Sequence, residues 1–187
     1  MEADLQNAYA VLQRGGVILY PTDTIWGLGC DATNASAVAK IAAIKQRVES
    51  KNLIVLIEDK NQLLKYVSEI PEVAWDLIEN TEQPLTLIYD QAKGLAPNIT
   101  GKDNSVGIRI TTDEFCKKLI RKFGKPIVST SANLSGEMAP ALFSEIKDEL
   151  KKQVDYIVLH RQNDAKKGQA STIIRIALNG EFKIIRK

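Results

Sequence analysis

Ser171-Thr172-Ile173-Ile174-Arg175-Ile176 and Glu181-Phe182-Lys183-Ile184-Ile185-Arg186, joined through Asn179-Gly180, read as a closing β-hairpin. Asn-Gly is the strongest short turn signal, because a tight hairpin turn needs positive φ at both central residues. Upstream of it, strands alternate with helices. Residues 3–14 carry Leu5, Ala8, Tyr9 and Leu12 at helical spacing, and Gly15-Gly16 stops that helix. Val17-Ile18-Leu19-Tyr20 is a short apolar run ended by Pro21, and Leu53-Ile54-Val55-Leu56-Ile57 is a second buried strand. Between them Asn34 can cap a helix whose apolar face is Ala35, Val38, Ile41 and Ala42. Helical stretches are expected near 60–67 and 71–80, strands over 85–89 and 106–110, a helix over 113–123, a helix near 143–152 and a strand near 155–159. The expected fold is α/β: a single domain, 1–187, with a twisted mixed β-sheet flanked by helices. The polar segment 161–170 reads as a mobile connection.

Composition narrows the function. With 25 Lys+Arg against 23 Asp+Glu in 187 residues, the net charge of +2 excludes the global basic field of a dedicated DNA binder. No apolar run approaches the roughly 18 residues of a membrane span, and the acidic start Met1-Glu2-Ala3-Asp4 lacks the basic region of a secretion signal. Two isolated cysteines, Cys30 and Cys116, make neither a disulfide framework nor a zinc site, so a reducing cytoplasm is expected. The single histidine, His160, removes most zinc hydrolases and leaves a Ser-His-Asp triad resting on one residue. Chemistry on this chain is expected to rely on charge, backbone and hydroxyl groups, with no protein-held metal.

Three stretches suit anions and nucleotides. Lys45, Arg47 and Lys51 cannot share a ligand on a continuing helix, where residues two apart point about 200° apart. If the helix ends near Lys45 and the chain extends, the three could line one phosphate chain; a helix C-terminus that favours cations explains Lys45 and Arg47 equally. Ser129 to Gly136 is a hydroxyl-rich loop following Ile127-Val128, suited to cradling an anion or to a solvated turn. Arg109 is isolated in the apolar run Val106-Gly107-Ile108-Arg109-Ile110. Burying a guanidinium costs several kcal/mol unless an anion meets it, which leaves two readings: a fork for a small carboxylate, or a structural ion pair.

Other patterns carry less. Gly27-Leu28-Gly29-Cys30-Asp31-Ala32 matches a dinucleotide fingerprint, but six residues separate it from the preceding strand, so a pyrophosphate would not meet a helix N-terminus there. Ser144-Glu145-Ile146-Lys147 and Ser131-Ala132-Asn133 mimic penicillin-binding motifs in the wrong order.

Tyr20-Pro21-Thr22-Asp23-Thr24-Ile25-Trp26-Gly27-Leu28-Gly29, Lys45-Gln46-Arg47, Val106–Ile110, Ser131-Ala132-Asn133-Leu134-Ser135-Gly136 and Ser171-Thr172-Ile173-Ile174 resemble, in order, motifs of the YrdC/TsaC family. The resemblance spans residues from about 8 to 187. It implies a twisted mixed sheet with a basic concave face, in the short, single-domain branch. The implied activity is threonylcarbamoyl-AMP synthesis, a nucleotidyl transfer in which L-threonine, bicarbonate and ATP give the adenylate, diphosphate and water. That product would feed tRNA threonylcarbamoyladenosine modification through downstream threonylcarbamoyl transferase proteins, with Mg²⁺ accompanying ATP and a tRNA or double-stranded RNA contact as a further implied partner. By motif position Thr24, Arg109, Ser129 and Ser171 would hold threonine. Arg47, Lys51, Ser105, Ser131, Asn133 and Arg186 would hold ATP, with Lys45 and Arg47 as the catalytic cations.

The chain departs from the family pattern at Val48, where proline is common, at Asn52, at Leu56, where some members have histidine, and at Arg175, where many have Asp. Two alternatives stand beside this reading. One is a non-catalytic module for structured RNA, using the basic density of Lys117–Lys125 and Lys151-Lys152. The other is a related nucleotidyltransferase with another carbamoyl-type acceptor.

Overall fold

A computed structural model describes residues 1–46 and 53–187. The elements run α1 (Glu2–Gln13), β1 (Ile18–Tyr20), β2 (Gly27–Gly29), α2 (Ala35–Ile44), β3 (Ile54–Ile57), α3 (Leu63–Tyr66), α4 (Glu72–Asn80), β4 (Leu85–Tyr89), β5 (Val106–Ile110), α5 (Glu114–Phe123), β6 (Ile127–Ser131), α6 (Asp148–Lys151), β7 (Tyr156–Ile157), β8 (Thr172–Ile176) and β9 (Phe182–Arg186). The strands form one nine-stranded sheet in the order β7-β1-β2-β6-β3-β5-β4-β8-β9. Three neighbouring pairs are parallel (β1 with β7, β3 with β5, β4 with β8) and the other five are antiparallel, so the sheet is mixed, as expected.

Successive residues of a strand face opposite sides of the sheet, and the apolar runs read as continuous because much of the sheet is covered on both. On one side Ile18, Tyr20, Leu56 and Ile127 pack under α1 and α5, through Leu5, Ala8 and Leu12 of the first and Phe115, Leu119 and Phe123 of the second. On the other, Leu19, Leu28, Val55, Ile57 and Val128 meet α2 through Val38, Ile41 and Ile44. Asn34 caps α2 by accepting from the amides of Ser36 and Ala37. Asp113 caps α5, and Gly124 ends it in the left-handed region at φ 75°.

Several elements differ from the sequence expectation. Gly27–Gly29 is a strand, paired with β1 on one side and β6 on the other. Its glycines serve packing: a Cβ on Gly29 would lie 2.6 Å from the Tyr20 ring and 3.0 Å from the Val128 carbonyl oxygen. Strand β6 runs on to Ser131, because Ser129 pairs with Ile54 and Ser131 with Gly27, so the hydroxyl-rich loop begins inside the sheet. The stretches near 60–67 and 143–152 are each a short 3-10 turn followed by a four-residue helix. The 161–170 connection is tied down at Arg161, which bonds to the Thr22 carbonyl (3.1 Å) and pairs with Asp113 and Asp164 (both 2.7 Å). Further on, Gly168 lies against the Thr24 carbonyl, where a Cβ would come within 1.9 Å of the oxygen.

Gly29→Ala is expected to lower unfolding stability by about 1–3 kcal/mol in urea titrations, because neither the Tyr20 ring nor the strand backbone can yield cheaply. Gly107→Ala, whose Cβ would meet only ordinary contacts from 3.4 Å outward, is expected to stay within about 1 kcal/mol of the parent.

Candidate functional site

Helices α1 and α5 cover only part of their side of the sheet. On β5, β4 and β8 the residues facing that side are Gly107 and Arg109, Thr86 and Ile88, and Ile173 and Arg175, and all of these but Arg175 line a cavity of about 530 Å³. Strand register sets the rows of its floor. Ser129, Ile54, Gly107 and Ile88 follow one another across β6, β3, β5 and β4, and Arg109, Thr86 and Ile173 across β5, β4 and β8. The turn Thr24–Trp26, the loop Ile99–Ser105 and the edge strand residues Ile185 and Arg186 complete the rim.

At one end of the cavity lies Arg109, its side chain 4% exposed. Its Nη2 sits 3.0 Å from Asp23 Oδ1, and Asp23 Oδ2 accepts from the Thr112 amide at 3.1 Å. The ion-pair reading of Arg109 therefore holds in this chain, and the fork is not fully open to an incoming carboxylate. Its buried Nε has no partner among the described residues. Thr22 Oγ1 accepts a long 3.5 Å bond from Arg109 and shares a 2.9 Å bond with Thr24 Oγ1, which links Thr24 to the same cluster.

Ser171 and Arg186 form the facing wall. Arg186 donates twice to the Ser171 carbonyl, from Nε at 3.1 Å and from Nη2 at 2.8 Å. The Ser171 hydroxyl shares a 2.8 Å bond with Thr86 Oγ1. Desolvation, and then the neighbouring charge of Arg109, pull the Arg186 pKa down from its ordinary value. The two guanidinium groups thus face each other's field. Arg109 has Asp23; Arg186 makes no carboxylate pair among the described residues, and the positive charge of the described cavity wall is concentrated there.

Lys45 and Asn133 occupy a different place from the other site candidates. Lys45 closes α2 as expected, but its Nζ is turned into the protein, donating to the carbonyls of Ser131 (2.6 Å) and Asn133 (2.7 Å) and, at 3.4 Å, to Asn133 Oδ1. Its own carbonyl accepts from the Ser135 amide at 3.2 Å. Asn133 Nδ2 bonds the Leu134 and Glu137 carbonyls (3.0 and 2.7 Å). Neither residue lines the cavity; together they fix the loop that begins at Ser131, which does line it. Arg47 and Lys51, and with them the idea of three cations along one phosphate chain, lie outside the described residues. So do Val48 and Asn52. Leu56 is buried under α1 and α5, beside Arg109 in register.

Of the cavity candidates, Thr24, Ser105, Arg109, Ser129, Ser131, Ser171 and Arg186 come together around one space. Sequence reasoning did not single out Asp23, Thr86 or Gly168. Asp23 lay inside a quoted motif, and Thr86 is the polar break in Leu85–Tyr89. Gly168 carried no signal of its own.

No group of three or more His, Cys, Asp and Glu able to hold a metal ion occurs among the described residues. The side-chain oxygens of the cavity-lining residues are all hydroxyls, those of Thr24, Ser105, Ser129 and Ser131 among them. Such donors suit a magnesium ion that arrives on a triphosphate and keeps several of its waters. No helix among the described residues is long and apolar enough to cross a membrane.

The Sua5/YciO/YrdC family model, described as "Telomere recombination", matches residues 10–187. A threonylcarbamoyl-AMP synthase of Pseudoalteromonas translucida is 38% identical over 160 residues, which cover 84% of this chain and 86% of the relative. Among solved structures, E. coli YciO superposes with a TM-score of 0.85 at 28% identity, covering 100% of this chain and 89% of that one. The Sua5 protein of P. abyssi complexed with L-threonine gives a TM-score of 0.82 at 28% identity; 94% of this chain is covered, but only 52% of that one, so this chain spans about half its length. The fold, the rows of cavity residues and a sequence match running almost end to end place this chain in the Sua5/YciO/YrdC family.

Proposed function

We propose that the chain is a threonylcarbamoyl-AMP synthase, joining L-threonine, bicarbonate and ATP into threonylcarbamoyl-adenylate with release of diphosphate and water. The observation that carries this reading is a single cavity of about 530 Å³ walled at once by Thr24, Arg109, Ser129 and Ser171 and by Ser105, Ser131 and Arg186. Adenylate formation needs an amino acid and a nucleotide side by side in one space. The relatives named threonylcarbamoyl-AMP synthase and the threonine complex of a neighbour support it.

In this reading the amino group of threonine and bicarbonate form a carbamate with loss of water. A carbamate oxygen then attacks the ATP α-phosphorus, and the bond to the β-phosphate breaks. Catalysis of such a transfer consists mainly of positioning and charge stabilisation. Arg109, held by Asp23, offers its remaining N–H groups to the threonine carboxylate, while Thr24, Ser129 and Ser171 supply neutral hydrogen bonds. Arg186 and Ser131 take the triphosphate, joined by Arg47 and Lys51, and Lys45 with Asn133 holds the Ser131 loop in place. Mg²⁺ bound to the nucleotide would neutralise the leaving diphosphate. The adenylate is a labile mixed anhydride, so it would pass to downstream threonylcarbamoyl transferase proteins acting on tRNA. A reducing cytoplasm suits the buried, unpaired thiols Cys30 and Cys116.

The RNA-module alternative draws less support from the geometry. On the basic helix α5, Lys118 pairs with Glu114, Arg121 with Glu58, and the following Lys125 with Asp31. Lys122 lies over the Tyr9 ring, 5.3 Å from its centroid. Cations already matched to carboxylates make a poor phosphate track.

Diphosphate release from ATP with bicarbonate, Mg²⁺ and each amino acid in turn tests the reading. Release that requires threonine is expected; release indifferent to threonine would point to another acceptor, and none at all would remove the synthase assignment. Arg186→Ala is expected to lower kcat/KM for ATP by roughly 10- to 100-fold, the worth of one charge-assisted contact. For Arg47→Ala the expected loss of turnover is about 100-fold or more, with an unchanged thermal melting profile.

A further inference from the structure

Arg175 departs from the family pattern, and it stands in a telling place. It follows Gly107 and Ile88 in one row across β5, β4 and β8, on the side of the sheet that faces the cavity. Gly107 and Ile88 line the cavity; Arg175 instead reaches beyond it. Its Nη2 donates to Asp90 Oδ1 at 2.8 Å and to Asp103 Oδ2 at 2.7 Å. The other oxygen of Asp103 accepts from the Ser105 hydroxyl at 2.7 Å and from the Ser105 amide at 3.2 Å. Ser105 lines the cavity.

The loop is shaped around this chain of contacts. The Gly101 amide donates to the Ser105 carbonyl at 2.8 Å, and Asn104 turns through a positive φ of 57°. A Cβ on Gly101 would lie 2.5 Å from Asp103 Oδ1 and 2.9 Å from Ser105 Oγ, so only glycine leaves room for the pair.

An ionised carboxylate can only accept hydrogen bonds, and a serine hydroxyl has one proton. The Ser105 bond and then the Arg175 guanidinium hold Asp103 down at a pKa of about 2, so it stays ionised near neutrality. The proton of Ser105 is therefore committed to Asp103, and Ser105 presents only lone pairs to the cavity. Phosphate oxygens are acceptors as well and gain nothing there. The complementary groups on a nucleotide are the N–H and O–H donors of its nucleoside half, the exocyclic amine and the ribose hydroxyls. Ser105 also lies immediately before β5, four residues from Arg109, a separation of roughly 13 Å at an extended rise. That separation suits a nucleoside at one end and an amino acid at the other, with the reacting phosphate between.

We propose that Arg175 and Asp103 are positioning residues that lock Ser105 as a hydrogen-bond acceptor for a donor group on the nucleoside half of the nucleotide. This rests on the synthase reading for the nucleotide's presence in the cavity, and the test separates the two. The full chain is titrated calorimetrically with ATP, ITP (which lacks the exocyclic amine), 2′-deoxy-ATP and 3′-deoxy-ATP. One analogue is expected to bind roughly 3- to 10-fold more weakly than ATP, and its identity names the donor. In Arg175→Ala and Asp103→Ala that preference is expected to fall below about twofold, with Arg175→Lys retaining most of it. Ser105→Ala, which does not disturb the ion pairs, is expected to lose the same preference and keeps the test alive should the other variants fail to fold. Weakening of all four nucleotides by one common factor in Arg175→Ala would make its role merely structural and overturn the proposal. So would a parent protein that binds ATP without discriminating any analogue, even if it releases diphosphate with threonine. Discrimination that follows Arg175, in a protein showing no threonine-dependent release, would leave the positioning role standing and remove the synthase reading. A parent that binds none of the four would overturn both.

Discussion

A guanidinium buried in a β-strand must be met by an opposite charge, and the pairing of Arg109 with Asp23 is the constraint on which the cavity depends. Asp23 lies in the turn between β1 and β2, while Arg109 lies three strands further across the sheet from β2. Their contact, with the Thr112 amide on the other carboxylate oxygen, pins that turn over the end of β5. Thr24 then follows through its bond to Thr22. Taking away either partner would leave a buried charge alone, a loss of about 3–5 kcal/mol, and would release the turn that shapes the cavity mouth.

Lys45 solves a related problem behind the Ser131 loop. An ammonium group with 0% residue exposure is tolerable only when its protons are taken up. The carbonyls of Ser131 and Asn133 do this, and in doing so they stop the loop after β6 from drifting. The lysine read in the sequence as a cation for phosphate anchors, in the folded chain, the loop that opens at Ser131.

The sequence made the layers of this fold legible because two independent periods agreed. Helical spacing in α1, α2 and α5 and uninterrupted apolar runs in β1 and β3 required a sheet covered on both sides, and Asn179-Gly180 required an antiparallel end. It did not reveal β2, since glycine is depleted in strands, and the crowding that requires glycine at positions 27 and 29 comes from Tyr20, Val128, Ser129 and Thr130, brought near only by the fold. Nor did it show that Ser129 and Ser131 sit in a strand, because a run of small hydroxyl residues is compatible with a turn until a partner strand is present. At the site, residue types were readable while their partners were not. Arg109 signalled a buried charge, but the choice between Asp23 and a ligand carboxylate depends on which of 23 acidic residues tertiary folding brings near it. Lys45 carried the opposite ambiguity, since helix C-termini and phosphates attract the same cation.

The arrangement of charge along the cavity has a consequence for how two unlike substrates could be told apart. Where Arg109 is balanced by Asp23, the wall is close to neutral overall and rich in hydroxyls, which suits a zwitterion carrying no net charge. A triphosphate placed there would meet the field of Asp23 as well as that of Arg109. Toward Arg186 the balance changes, because no described carboxylate answers that guanidinium and its neighbour Arg109 already destabilises it. An anion arriving between the two arginines would relieve both the desolvation and the repulsion that lower the Arg186 pKa. In a synthase of the kind proposed, the nucleotide's phosphates would therefore be favoured where the wall is electrostatically least satisfied, and the amino acid where it is most satisfied. Sorting by charge of this kind needs no contact specific to either substrate, so it would act before hydroxyls such as Ser105 and Ser171 are engaged.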